Sequence, residues 1–373
     1  MTVPASRSHP NRIDPPALRS SPEMRRAAGT LTRMATGRAP TLTEVARRAG
    51  VSLTTASKAI NGQARVSAQT RARVLKAAKE LSYTPNPMAR SLISGRSGTI
   101  GMIAVESVAQ RFMTPIMLGA EDALSEINLT MVTSDARGDA ARFRGLVDMM
   151  RQRKVDGLLV LGDNIVQSPT VEPSFPAPVV HVYGETGDPR DVAHLPDDRT
   201  GGCLVAEHLV GIGRRRLAVI TGPSDAYAVV QRDKGIEAVL REAGIRTVAP
   251  TAYGLWSQRW GREAAERLLA AAPEVDGIIC GSDQIAEGVV HALLRTGRRI
   301  PDDVAVTGYD NWPIFALETD PPLTTVDMNL EALGAAAVRD LFGKIDGEPV
   351  GSGVRLHDCT LVPRGSTLSG SDP

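Results

Sequence analysis

The chain has 373 residues with 43 Lys/Arg against 42 Asp/Glu, 42% hydrophobic and 3% aromatic residues, and three cysteines. That length suits a small module on a larger body. The scattered, odd-numbered cysteines (Cys203, Cys280, Cys359) exclude a disulfide framework or zinc site, and without a run of ~18 apolar residues there is no membrane-spanning helix. The near-zero total hides an uneven distribution. Residues 1–40 carry a net +5, Thr41 to Ser97 have ten bases and two acids for a net +8, and Gly98 to Pro373 hold the compensating −12. A basic front on an acidic body suits a polyanionic partner for the front and repels that partner from the rest.

Residues 1–40 are rich in Pro, Ser and Arg with few apolar groups and are expected to be a disordered basic tail. They contain no apolar core of a secretory signal, so the expected location is the cytoplasm, at the nucleoid.

The next segment, TLTEVARRAGVSLTTASKAING, reads as a helix, a glycine turn and a second helix. Thr41 and Glu44 stand at capping-box spacing, Val45, Ala46 and Ala49 recur at helical intervals, and Gly50 supplies the permissive backbone of a sharp turn. Ser52 can cap the second helix, which turns Ala56, Ala59 and Ile60 to one side and Leu53, Thr54, Ser57 and Lys58 to the other. Ser67 opens a third helix through Leu81, with Val74, Ala78 and Leu81 inward and Arg71, Arg73, Lys76 and Lys79 outward. Small apolar residues inside and hydrogen-bonding or cationic ones outside describe a compact DNA-reading unit, predicted over 41–85, followed by a hinge over 86–97.

The 276 residues from Gly98 to Pro373 are enough for two α/β lobes. Strand-like runs alternate with amphipathic helices: TIGMIAV, Pro115 to Ile127, LTMVTSD, Ala140 to Arg151, VDGLLVLG, PVVHVYG, Thr200 to Gly211, RLAVITG, Asp233 to Ala243, Gln258 to Ala271, DGIICGSD, Ile285 to Thr296 and DVAVTGYD. That alternation demands mainly parallel sheets, in which ligands bind beyond the carboxyl ends of the strands. The loops there are Glu106 to Pro115, Gly222 to Arg232, Gly281 to Asp283 and Gly308 to Asn311. Catalytic signatures are missing. There is no Walker A sequence, serine elbow or HExxH, GIGRRR lacks the third glycine of a dinucleotide fingerprint, and the six histidines, among them His181, His208 and His291, are scattered. Neither an enzyme nor a cofactor is expected.

From TLTEVARRAGVSLTTASKAING through VSAQTRARVLKAAKELSYTPNPMARSLISG to Pro363, the chain resembles the LacI/GalR family of bacterial transcription regulators. The resemblance implies a helix-turn-helix domain followed by a two-lobed periplasmic-binding-protein-like domain with crossovers near Pro196, Val326 and Arg355. It implies a homodimeric, ligand-responsive repressor of sugar or other carbon-source genes on a pseudo-palindromic double-stranded operator; a solute sensor without DNA activity is the alternative. Met34 would give an amino terminus of the family's usual length and is an alternative start. Leu53, Thr54 and Lys58 match base-reading positions, with Lys58 replacing a frequent Arg by a point charge. Ser52, Ser57, Asn61, Ser67 and Thr70 match phosphate-binding positions. In TPNPMARSLISG, Asn86 matches a capping position, Ala89 and Arg90 groove-facing ones, and Leu92 an apolar wedge. The effector, a sugar or sugar derivative, would be held by Arg232 as donor, Asp310 as acceptor, Trp256 and Phe112 as aromatic walls, and Ser282 and Arg111 at positions where this chain departs from many relatives.

Overall fold

The computed structural model describes residues 40–60, 66–83, 96–107, 111–163 and 167–368, which fall into two compact units. The basic tail and the hinge 86–95 lie outside them.

The first unit consists of α1 (Leu42–Ala49), α2 (Leu53–Ile60) and α3 (Ala68–Glu80). Thr41 and Glu44 form a reciprocal capping box at the start of α1: the Thr41 hydroxyl accepts from the Glu44 N–H at 3.4 Å, and the Glu44 carboxylate accepts from the Thr41 N–H at 2.7 Å. Gly50 ends the helix at φ 64°, a left-handed conformation that glycine adopts without steric cost. Val45, Ala46, Ala49, Ala56, Ala59, Val74, Ala77 and Ala78 make the core. Its alanines are small enough to let three short helices approach closely. Leu81 caps α3 rather than extending it.

The second unit contains two parallel sheets. In the first lobe β1 (Thr99–Ala104), β2 (Thr130–Asp135), β3 (Gly157–Leu161), β4 (Val179–Val182) and β5 (Val192–Pro196) are joined by β11 (Gly353–His357) in the order β11-β5-β4-β3-β1-β2. Helices α4 (Met113–Glu126), α5 (Ala140–Arg153) and α11 (Leu330–Ile345) accompany it. In the second lobe β6 (Leu217–Thr221), β7 (Ala252–Tyr253), β8 (Gly277–Cys280) and β9 (Ala305–Thr307) run β7-β6-β8-β9, with α6 (Asp198–Gly211), α7 (Tyr227–Glu242), α8 (Gln258–Ala271), α9 (Asp283–Arg295) and the short α10 (Pro313–Ala316). Strands β1, β3, β6 and β8 are almost wholly buried, as strands covered on both faces must be.

The chain changes lobe between β5 and α6, between β10 (Thr325–Asp327) and α11, and between β11 and β12 (Thr360–Val362). The third change comes at Asp358 and Cys359, after β11 ends and three residues past Arg355, near which it was expected. Beyond β12 the chain stays packed on the second lobe: Ser366 is fully buried and donates to the Val306 carbonyl at 2.6 Å.

Helix α7 begins at Tyr227, six residues before the expected Asp233, so Arg232 belongs to a helix and not to the preceding loop. Its N-cap, Ala226, has no side-chain acceptor to announce the start. α7 crosses α6 at minimal distance because Gly202 has no side chain; a Cβ there would lie 2.2 Å from the Arg232 carbonyl oxygen.

Candidate DNA interface and interlobe cleft

On α2 the outward residues are those the helical period selects. Leu53 is 51% exposed, Ser52 and Thr54 are exposed, and Ser57 and Lys58 are half-buried at the edge of the same face. An exposed leucine of this size in so small a unit serves no core and is available to a partner. The Ser52 hydroxyl accepts from the Thr55 N–H at 3.1 Å, and the exposed Ser67 hydroxyl accepts from the Thr70 N–H at 3.3 Å. Ser52 and Ser67 thus mark the amino-terminal ends of α2 and α3, where free N–H groups and the helix dipole favour anions such as phosphate. Thr70 is held against Ser67 by a second bond, Ser67 Oγ to Thr70 Oγ1 at 2.9 Å. Asn61, Asn86, Ala89, Arg90 and Leu92 lie outside the described residues.

The second candidate site lies between the lobes. A cavity of about 880 Å³ is lined by Arg111, Phe112, Thr114, Pro115 and Leu118 from the first lobe, by Asp310, Asn311, Trp312 and Pro313 from the second, and by 327–332 at the crossover. That volume falls in the ~300–1,000 Å³ range of ligand sites. Arg111 and Asp310 meet across it: Nε and Nη2 both donate to Oδ2, at 2.9 and 2.5 Å. Burial lowers the Arg111 pKa, but the Asp310 carboxylate more than reverses this, and the net shift is upward. Asp310 itself is pushed up by burial, against the pull of Arg111 and Arg232. Phe112 stacks on Tyr183 with ring centroids 4.4 Å apart and is 7% exposed, so it forms a covered wall rather than an open platform.

Arg232 stands behind this cavity, 5% exposed. Nε donates to Asp198 at 2.7 Å, Nη1 to the Gly281 carbonyl at 2.8 Å, and the guanidinium carbon lies 3.5 Å from the centre of the Tyr309 ring. Burial alone would lower its pKa; the Asp198 charge drives it upward instead. Nη2 faces Met328 Sδ at 3.7 Å, a weak acceptor that a ligand hydroxyl can better. Gly201 makes this cluster possible, since a Cβ there would lie 2.0 Å from the Tyr309 hydroxyl.

Asp283 is fully buried at the start of α9, where its carboxylate accepts from Thr325 Oγ1 at 2.5 Å and from the Trp312 N–H at 2.7 Å. Burial, and then the neighbouring Asp310 charge, lift its pKa to about 8. The carboxyl is therefore largely protonated near neutrality, which relieves repulsion beside Asp310.

Of the six effector residues expected from the sequence, Arg111, Phe112 and Asp310 share the cavity wall, while Arg232, Trp256 and Ser282 are not part of it. Ser282 is fully buried and caps α9, accepting from the Ile285 N–H at 3.2 Å. Trp256 lays its ring on Gly222, where a Cβ would come within 2.3 Å of the indole. Sequence reasoning missed Trp312, Asp283, Asp198 and Tyr309. Trp312 could have been found: it directly follows Asp310 and Asn311 and is one of three tryptophans in the chain.

No group of His, Cys, Asp and Glu suited to a metal occurs among the described residues, and no described helix is long and apolar enough to cross a membrane. Residues 41–86 match the model for bacterial regulatory proteins of the lacI family, and residues 206–367 match the periplasmic binding protein-like domain. The HTH-type transcriptional regulator CelR of Thermobifida fusca is 36% identical over 320 residues, covering 83% of this chain and 93% of that protein. A solved complex of the transcriptional regulator CelR with cellobiose superposes with a TM-score of 0.61 at 31% identity, over 88% of this chain and 99% of the other. The lac repressor dimer bound to operator and the anti-inducer ONPF gives a TM-score of 0.69 at 26% identity, over 89% and 100%.

Proposed function

Since this chain belongs to the LacI family of bacterial regulatory proteins, we propose that it is a cytoplasmic homodimeric repressor of carbon-source genes. It binds a pseudo-palindromic operator and is switched by a sugar or sugar derivative held between its lobes. The observation that supports this most is the union, in one chain, of an outward-facing α2 in a module of net +8 with a two-lobed body whose cleft is bridged by Arg111 and Asp310.

In this reading α2 enters the major groove. Leu53, Thr54 and Lys58 contact base edges, while Ser52, Ser57, Asn61, Ser67 and Thr70 hold phosphates and fix the register without reading sequence. Asn86, Ala89, Arg90 and Leu92 form the hinge contact in the minor groove, with Leu92 inserted as a wedge. In the cleft, Asp310 accepts from effector hydroxyls, Arg111 and Arg232 Nη2 donate to them, and the ligand's presence alters the balance between lobe arrangements. No reaction is performed on the ligand. Effector and operator then influence each other reciprocally, by a coupling typically of ~1–3 kcal/mol.

Selection of binding sites from a randomised DNA pool, followed by fluorescence anisotropy on the recovered site with and without sugars, tests the proposal. A palindromic consensus whose affinity one sugar shifts is expected. Recovery of no consensus would remove the operator-binding half of the reading, and a recovered site that no sugar affects would remove the other half.

A further inference from the structure

Resting on the reading that the effector occupies the interlobe cleft, we propose that Trp312 is the platform on which the effector stacks, and that the effector is an uncharged carbohydrate of at least two linked rings. All three tryptophans lie in the second lobe or at its edge. The Trp256 ring is committed to Gly222, and the Trp260 ring to Gly254, where a Cβ would approach within 2.3 Å; the Trp260 indole N–H also donates to the Thr221 carbonyl at 2.9 Å. Trp312 alone of the three lines the cavity. It is half-buried, and its position is fixed on two sides. Its backbone N–H is bound by Asp283 at 2.7 Å, and Phe315 meets it edge to face, centroids 4.8 Å apart at 79°. An aromatic face held rigidly at a cavity wall stacks on the apolar face of a sugar ring at little entropic cost.

Over part of that ring the Arg111 guanidinium carbon lies 5.6 Å from the indole centre, paired with Asp310. A ring resting on Trp312 has the two partners that hydroxyls need, an acceptor and a donor, at one edge. The cavity then continues past Thr114, Pro115 and Leu118 of α4 toward Leu330 and Glu331 of α11. A volume of about 880 Å³ is near the upper end for small-molecule sites and leaves space for a further ring. Charge sets the remaining limit. The walls carry three carboxylates, Asp310, Asp327 and Glu331, against one guanidinium, and that guanidinium is already bound to Asp310. A phosphate or carboxylate on the ligand enters an acidic cleft whose wall guanidinium is held by Asp310 and whose neighbour behind the wall, Arg232, is already neutralised by Asp198, and is rejected.

Full-length protein is titrated with cellobiose, maltose, lactose, glucose, glucose 6-phosphate and cellobionate, with tryptophan fluorescence and calorimetry as readouts. Trp312→Ala and Trp312→Phe are compared with the parent. At least one neutral disaccharide is expected to bind and to quench fluorescence, with affinity falling about tenfold in Trp312→Ala and largely restored in Trp312→Phe. The two anions should bind at least tenfold more weakly than their neutral counterparts. Equal disaccharide affinity in Trp312→Ala, tighter binding of an anion, or no binding of any neutral disaccharide overturns the proposal. Two parallel measurements separate this from the broader reading: sugar binding that depends on Asp310 but not on Trp312, or an operator complex that forms in every variant, leaves the repressor assignment standing while this one fails.

Discussion

Arg111 and Asp310 grip each other from opposite lobes, with two guanidinium nitrogens on a single carboxylate oxygen. The side chains are 20% and 6% exposed, so the pair is weakly screened and each partner depends on the other for its charge. It occupies only Oδ2 of the carboxylate that an effector hydroxyl would use. An effector hydroxyl can therefore add at Oδ1 without displacing Arg111, and the lobes are tied together before any ligand arrives.

Arg111→Ala should remove that tie and leave the buried Asp310 carboxylate without its hydrogen-bonded partner, balanced only by the pull of Arg232. Stability is expected to drop by about 3 kcal/mol, and Arg111→Ala combined with Asp310→Asn should recover part of the loss. A double-mutant cycle in urea measures the coupling directly. Additive losses would show that the two residues do not communicate.

Stability should peak near pH 6.5. Burial lowers His181 and His194, each to about 4, against the opposing pull of Asp191 and Asp340 respectively. A depressed histidine contributes stability that is fully present above its unfolded value of about 6.5 and is lost as pH falls toward 4. Asp283 acts in the reverse direction. Its folded value of about 8 exceeds the unfolded one, so the folded state holds a proton that the unfolded state has released, and stability declines between about pH 4 and pH 8. His208 and His357, also lowered by burial, add to the rise, and Asp233 and Asp310, also raised by burial, add to the fall; above about pH 6.5 the histidine gain is complete and only the aspartate loss continues. Thermal melts across pH 4–9 check this. Asp283→Asn should flatten the alkaline limb, and an unchanged limb would transfer that slope to another group.

Base reading and anchoring should separate by mutation. Thr54→Ala or Lys58→Ala is expected to relax preference at a few operator positions, at roughly 1–3 kcal/mol for the preferred site. Ser67→Ala should weaken all sites alike, since its contact would be to phosphate. Selection from randomised DNA with each variant distinguishes the patterns. Affinity for the parental site should also fall with salt at a log–log slope of about −0.9 per phosphate neutralised, and a flat titration would contradict phosphate contact altogether.

Gly202→Ala should act at a distance. Its new methyl would collide with the Arg232 carbonyl, which is backbone and cannot rotate away. α7 must shift, and with it the Arg232 guanidinium. Weakened effector binding with the operator complex intact is the expected pair of results by calorimetry and anisotropy; undiminished effector affinity would show that α7 does not shape the cleft.

The helix-turn-helix unit was legible because every part of it is local. Thr41, Glu44, Gly50 and Ser67 announce their helix ends chemically, and the alanine spacing gives the buried face. The strand order was legible only as far as alternation implies parallel sheets. Helix α7 starts without a capping side chain, on Tyr-Ala-Val-Val, which has the look of a strand or loop. The start of α11 is equally silent, because Asn329 takes φ 51° and makes no side-chain cap. In the cleft, Arg111 and Asp310 could be read as individual residues, but their bond spans 199 positions and only the fold brings them together. Trp256 and Trp312 look alike in sequence. What separates them is the neighbour each finds: a glycine beneath Trp256, the cleft and the Arg111 guanidinium beside Trp312.

The antiparallel pairing of β10 with β12 makes two of the three connections between the lobes one mechanical object. Thr325 to Asp327 is hydrogen-bonded in register with Thr360 to Val362, so these connections cannot bend independently without breaking their ladder. The third, through Asp197, is tied to the same place because its backbone N–H donates to the His357 carbonyl at 2.8 Å. Three threads that could splay in any direction are thereby reduced to a narrow axle. Rotation about that axle keeps the ladder intact whereas sliding across it breaks hydrogen bonds, so any rearrangement of the lobes is expected to be a swing of defined direction.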